Sequence, residues 1–437
     1  MEVPSNANRA PKTRRSPVDA DGRRAGRARH PAAIRAAAIA LLALATALLT
    51  HPPGAARAEV VEPPLQELAR RTVGADQGVF AVAGDGTVLV TQAADLAVHP
   101  ASVTKIATTL ALLERLGPQH RFTTRVLGTG PLEGDRLEGD LVVQGGHDPF
   151  FVYESALLLL SGLNQRGLRR VDGGFRIDGP FLMNWEPDPD GRRLKAVLEG
   201  RDGTAAWPAV ARRMNTAKTV REEALAFSAR GGTTRAAERP TPLLEYRSPP
   251  LLHVVKVMNG YSNNVFHLVA DAIGGPHAVQ ETARAHVPAG LRDEIVIDNG
   301  AGAGSTNRLS PRATVAILDA LEAELRRVGL HLTDVLPVSG VDPGTLEDRF
   351  LDHRGVVVGK TGTFGSEGAS ALAGALRTRR FGTVRFAVLN HGVPVPDARA
   401  RQDAFVRGLI EAGEAEPWPY TTPTRPDYLS ASVVPRR

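Results

Sequence analysis

The sequence predicts a mixed α/β (α+β) chain whose principal sheet is drawn from both ends of the polypeptide, with a second lobe inserted between them. Three observations predict this. Gly78-Val-Phe-Ala-Val-Ala-Gly-Asp-Gly-Thr-Val-Leu-Val places two β-rich runs around a Gly-Asp-Gly turn, a hairpin pattern. Far along the chain, Gly355-Val-Val-Val-Gly reads as another strand, with hairpin neighbours at 369–377 and 385–389. Between these ends helical spacing dominates, except across 149–250, where regular patterning fades.

The first 58 residues stand apart. They hold ten basic side chains and three acids, so the formal charge of +6 belongs to them, and the remainder has 43 basic and 44 acidic residues. The rest of the chain therefore gives no reason to expect nucleic acid as a partner. A basic stretch ends at Arg35, an apolar run follows at 36–49, and Pro-Pro-Gly leads to Ala56-Arg57-Ala58, the small-x-small pattern that signal peptidase cuts. The apolar run falls short of the roughly 20 residues that span a bilayer. Residues 1–58 are expected to be a signal peptide, and the protein to be exported to the periplasm or the extracellular cell envelope. Absence of cysteine excludes thiol nucleophiles, disulfides and thiolate metal sites.

Within the remainder, 59–148 and 251–437 are expected to form one catalytic domain, with 149–250 as an inserted region. From Ser102 the apolar residues Ile106, Leu110, Leu113 and Leu116 recur at helical spacing, and Gly117-Pro118 stops the helix. In the middle stretch, Pro187-Asp-Pro-Asp-Gly191 and an Arg-, Gly- and Thr-rich run at 229–240 read as loop. Further helices are expected on both sides of 259–264 and over 311–328.

Three short motifs carry chemistry. In Ser102-Val103-Thr104-Lys105 the serine opens a helix, where backbone N–H groups and the dipole favour an oxyanion. Lys105 follows one turn later on the same face and, if neutral, can take the serine's proton. In Tyr261-Ser262-Asn263-Asn264 the Ser262 hydroxyl can pass a proton to a leaving amine, and the Asn264 amide can hold a substrate amide. In Lys360-Thr361-Gly362-Thr363 a strand ends in a lysine that brings charge toward Lys105 and Ser102. Gly362 there lets a substrate backbone approach, the Thr363 N–H is a second oxyanion donor, and the Thr361 and Thr363 hydroxyls suit a terminal carboxylate. Each motif alone is common; their order on helix start, interhelical loop and strand is that of β-lactamases and penicillin-binding proteins. Lysine usage agrees with this. Beyond residue 58 there are five lysines against 38 arginines, and lysine, unlike arginine, can give up its proton. Lys256, one of the five, is expected on the surface of a helix.

The sequence resembles the low-molecular-mass penicillin-binding proteins that are D-alanyl-D-alanine carboxypeptidases and endopeptidases, of the kind with a large insert between the first two motifs. Further segments carry the resemblance: Phe122-Thr-Thr-Arg-Val, Gly139-Asp-Leu-Val-Val-Gln-Gly-Gly-His-Asp-Pro, Met258-Asn-Gly-Tyr-Ser-Asn-Asn, Asn307-Arg-Leu-Ser-Pro and Leu336-Pro-Val-Ser-Gly-Val-Asp-Pro-Gly-Thr-Leu. It implies a β-lactamase/transpeptidase-like fold with a five-stranded antiparallel sheet flanked by helices. It also implies peptidoglycan peptides ending in D-Ala-D-Ala as substrate, an acyl-enzyme on Ser102 with Lys105 as base, a relay through Ser262 with Asn264, and Lys360 holding the local field and the terminal carboxylate. β-Lactam antibiotics would acylate the same serine, and no metal or cofactor is implied. Three departures bear on substrate choice: the 160 residues from Ser102 to Ser262 are short for the family's insert, the middle stretch matches poorly, and Gly300-Ala301-Gly302 replaces a Gly-Ser-Gly-like turn.

Other readings keep the fold or part of the site. A serine β-lactamase or esterase would use Tyr261 as relay in a Tyr-x-Asn register. A non-catalytic peptidoglycan-binding protein would keep the fold without turnover. His147, Asp148, His253 and His267 lack the close spacing of a zinc peptidase.

Overall fold

The computed structural model describes residues 62–228, 240–261, 264–421 and 431–435. The expected signal peptide, Ser262 and most of the 229–240 run lie outside the described residues. The main sheet has five antiparallel strands in the order Val357–Phe364, Ala369–Thr378, Gly382–Asn390, Gly78–Val82 and Val88–Gln92, with the two-residue strand Ala415–Glu416 beside Ala369–Thr378. Both ends of the chain thus meet in one sheet, Gly78 opposite Leu389.

Side chains alternate across a strand, and here the alternation sorts two cores. Along Ala369–Thr378, Ala371, Ala373 and Ala375 face one core, Leu372 and Leu376 the other. On the next strand Ala387 and Leu389 join the first, and Val384, Phe386 and Val388 the second. The alanine-lined face receives the helix Lys105–Leu116, which is buried at every residue from Lys105 to Leu113. Its apolar side chains fill the space between the sheet and the helices Pro311–Arg327 and Gly275–His286. Truncating Leu110, fully buried here, costs about 2–5 kcal/mol by the usual scale of core cavities. Pro63–Val73 and Val395–Gly413 cover the opposite face.

A further core lies on a second sheet, ordered Ser432–Pro435, Thr241–Arg247, Thr123–Gly128, Leu141–Gln144 and Phe175–Asp178. It is backed by the Leu-rich helix Tyr153–Gln165. This core draws on 149–250 and also on strands before and after it. The Pro187–Gly191 stretch, expected as loop, starts a helix: buried Asp188 accepts from the N–H groups of Arg193 (3.4 Å) and Leu194 (3.2 Å) in Arg192–Leu198. No helix among the described residues is long and apolar enough to cross a membrane.

Candidate active site

Ser102 sits in a single 3-10 turn, Ala101–Thr104, that runs directly into the α-helix Lys105–Leu116. Preceding it, Ala101 holds φ +49°, a left-handed conformation that a non-glycine residue adopts only when its surroundings hold it there. The outer strand Val357–Phe364 closes on this turn. A Cβ built at Gly362 would lie 2.6 Å from the Pro100 carbonyl oxygen and 3.2 Å from the Ser102 nitrogen, so only glycine permits the approach. Thr363, next along, is exposed beside the nucleophile turn. From the other side comes the loop that carries Gly300-Ala301-Gly302: the Ser102 hydroxyl donates to the Ala301 carbonyl at 3.4 Å, and Thr108 to that of Gly300 at 2.7 Å. The missing loop hydroxyl is therefore missing beside Ser102 itself.

Lys105 and Lys360 are both fully buried. Burial lowers Lys105 to about 8, and its ammonium lies over the Phe266 ring, 5.5 Å from the centroid. Lys360 is pushed further below the usual lysine range, first by burial and then by the charge of Lys105. Its ammonium donates to the Thr361 carbonyl at 3.0 Å. Burial thus disfavours the ammonium form of both amines, and at Lys360 the charge of Lys105 adds to it.

The second motif bridges helices Leu251–Gly260 and Val265–Ala270 as expected, and Asn264 is the exposed residue that begins the latter. The helix end before this loop is tied to the third motif by Thr345, within the 336–346 segment that carries the resemblance. The Thr345 N–H donates to the Gly260 carbonyl at 2.9 Å, while the Thr345 and Thr361 hydroxyls pair at 2.7 Å. Buried Asn259 adds a bond to Thr109 on the central helix, 3.0 Å. Ser102, Lys105, Lys360, Thr361, Gly362 and Thr363 are thus brought together, and Asn264 stands at the start of the next helix.

Three residues differ from expectation or escaped it. Lys256 is not a surface group: it donates to the carbonyls of Thr333 (2.8 Å) and Leu336 (2.6 Å) and to Asp342 (2.6 Å), and stands over Tyr420. His99, one residue before Pro100, accepts from the Ala101 N–H on Nδ1 (3.1 Å), so Nε2 carries the proton and donates to the Gly304 carbonyl (2.9 Å). Its ring stacks on Phe364 at 4.3 Å. One imidazole therefore links the strained residue before the nucleophile, the 299–307 loop and the end of the Lys360 strand. Asp148 is buried, accepts from the Phe150 N–H at 2.8 Å, and is pushed up to about 7 by burial.

A serine-bearing turn leading into a buried helix, closed by the edge strand of a five-stranded antiparallel sheet, defines a β-lactamase/transpeptidase-like fold of the penicillin-binding class. The chain belongs to the D-Ala-D-Ala carboxypeptidase 3 (S13) family, whose sequence pattern matches residues 65–189 and 206–411. It is accordingly an enzyme of the serine-type D-Ala-D-Ala carboxypeptidase class. A curated relative, carboxypeptidase DacB of Mycolicibacterium smegmatis, is 27% identical over 392 residues, covering 79% of this chain and 82% of that one. Among solved structures, the penicillin G-acylated predatory endopeptidase Bd3459 of Bdellovibrio bacteriovorus, in complex with its immunity protein, superposes with a TM-score of 0.62 at 23% identity. That match covers 83% of this chain and 99% of that one. Penicillin-binding protein 4 of Haemophilus influenzae, complexed with a β-lactam, gives 0.59 at 19% identity over 80% and 98%.

Proposed function

We propose that the protein is an exported carboxypeptidase that removes the terminal residue of peptidoglycan peptides ending in D-Ala-D-Ala, through an acyl-enzyme on Ser102, and that penicillins acylate the same serine. The 149–250 region would be the body of an inserted lobe beside the catalytic domain. The observation that carries the reading is the closure of Gly362 onto the Ser102 nitrogen with both buried lysines beneath.

The steps follow from what the residues can hold. The substrate strand lies along Val357–Phe364, and the scissile carbonyl oxygen meets the N–H groups of Ser102 and Thr363. The substrate's carboxylate lies toward Thr361 and Thr363, above Lys360. Its negative charge favours the ammonium form of Lys360, and Lys105, whose charged form burial disfavours, acts as the neutral amine. Lys105 takes the Ser102 proton as Oγ attacks, and the tetrahedral adduct collapses as Ser262, with Asn264 holding the amide, delivers a proton to the leaving amine. Water then takes the same path to release the acid. The chemistry needs no metal or cofactor.

The test is incubation of residues 59–437 with a labelled penicillin, location of any adduct by mass spectrometry, and assay of D-alanine release from a D-Ala-D-Ala peptide. An adduct on Ser102 with peptide turnover supports the reading. Fast release of the drug without peptide turnover marks a β-lactamase, and folded protein with neither adduct nor turnover marks a binding module.

A further inference from the structure

Beside Thr363 the strand edge carries a cation that none of the three motifs supplies. Arg399, exposed near the start of Val395–Gly413, donates from Nη2 to the Thr363 hydroxyl at 3.1 Å. A guanidinium can only donate, so Thr363 Oγ is the acceptor and its own proton is free for a ligand. Further N–H donors of Arg399 remain in the planar fork that matches a carboxylate.

Two acids of this region are committed elsewhere. Asp403, one helical turn on and the usual partner at that spacing, is bound by Arg349, and Asp352 by Arg407. Among the described residues Arg399 makes no ion pair. An unneutralised guanidinium and a free hydroxyl proton thus meet at Thr363, a residue away from the glycine that crowds the Ser102 nitrogen.

We propose that Arg399 recognises the free α-carboxylate of the residue that leaves, closing on it together with the Thr363 hydroxyl. This rests on the peptidase reading and names the part of the substrate that the site demands. The enzyme would select peptides whose last residue is an acid over the same peptides ending in an amide, because an amide offers no charge to the fork.

The experiment compares kcat/KM for an acylated D-Ala-D-Ala peptide and its C-terminal amide in the wild type, Arg399→Ala, Arg399→Lys and, as control, Arg401→Ala, whose side chain turns away to the Val73 carbonyl. The acid-to-amide ratio is expected to fall about 30-fold in Arg399→Ala, mostly through KM, to recover in part in Arg399→Lys, and to stay put in Arg401→Ala. An unchanged ratio in Arg399→Ala, or an equal loss on acid and amide, overturns the proposal. Should the wild type turn over neither peptide, the peptidase reading fails and acylation decides the inference separately. A slower reaction of Arg399→Ala with penicillin, which bears a carboxylate, relative to a neutral activated ester would uphold it. Parallel rates on the two would end it.

Discussion

At Lys256 the core meets a buried ammonium with a carboxylate and two carbonyls, whereas at Lys360 the charge that is felt is another ammonium, Lys105. The two regions lie in one protein and use one residue type. For Lys256, burial lowers the pKa while Asp342 raises it. For Lys360 burial and the neighbouring charge act in the same direction. The first arrangement fixes a helix to the 333–342 segment. The second disfavours the ammonium form, which is what the proposed general base would require and what stability alone would remove.

The comparison breaks most decisively through the base itself. Lys105→Ala is expected to slow acylation of Ser102 by about a thousandfold or more, read as adduct formation with labelled penicillin, while Lys256→Ala leaves the site's chemistry in place. Next in size is the structural pair: Asp342→Ala strands Lys256 among carbonyls and should cost about 3 kcal/mol in urea unfolding. The sign reverses at the site. Lys105→Met should raise stability by about 2 kcal/mol at pH 7, since a charge held to about 8 against the usual 10.5 is costly to bury. Between those two values the unfolded chain binds more protons than the folded one, so the wild type gains stability as pH rises through that window. The advantage of Lys105→Met should accordingly shrink there. If the buried lysines behave like Lys256 instead, Lys105→Met will destabilise.

The pH profile sharpens the same contrast. On the proposed mechanism, in which Lys105 is neutral and Lys360 charged, kcat/KM should hold across neutral pH and decline above about 8 as the pair loses its last proton. A rate that climbs through 8 would mean that Lys360 need not be charged. The smallest effect is at His99. His99→Phe keeps the ring over Phe364 but drops the bonds to Ala101 and Gly304, and should slow acylation about tenfold with little change in thermal unfolding.

Much of this site was legible because its parts are short and local. Ser102 to Lys105 is one turn of helix, and Lys360 to Thr363 is the end of a strand. The helix over Pro311–Arg327 and the hairpin Gly78–Gln92 follow from periodicity and a Gly-Asp-Gly turn. What escaped depends on distance along the chain. His99 works through Gly304 and Phe364, more than 200 residues later, and nothing in its own neighbourhood marks it. Lys256 looked like surface because its partners come from 333–342 and 420. The second sheet was hidden for a related reason: it pairs Thr241–Arg247 with Thr123–Gly128 on one side and Ser432–Pro435 on the other, and several strands around it in the chain are two residues long, too short for alternation to show.

The sheet built from both ends also sets a schedule for assembly. Ser102 leaves the ribosome some 255 residues before the first residue of the strand that closes on it. At ordinary synthesis rates that gap lasts roughly 13–50 s. Throughout it the serine has no edge strand, no Lys360 and no Thr363 N–H. The proposed nucleophile is made early and armed last, so a chain truncated anywhere before residue 357 carries Ser102 and Lys105 without the strand that the proposed mechanism needs.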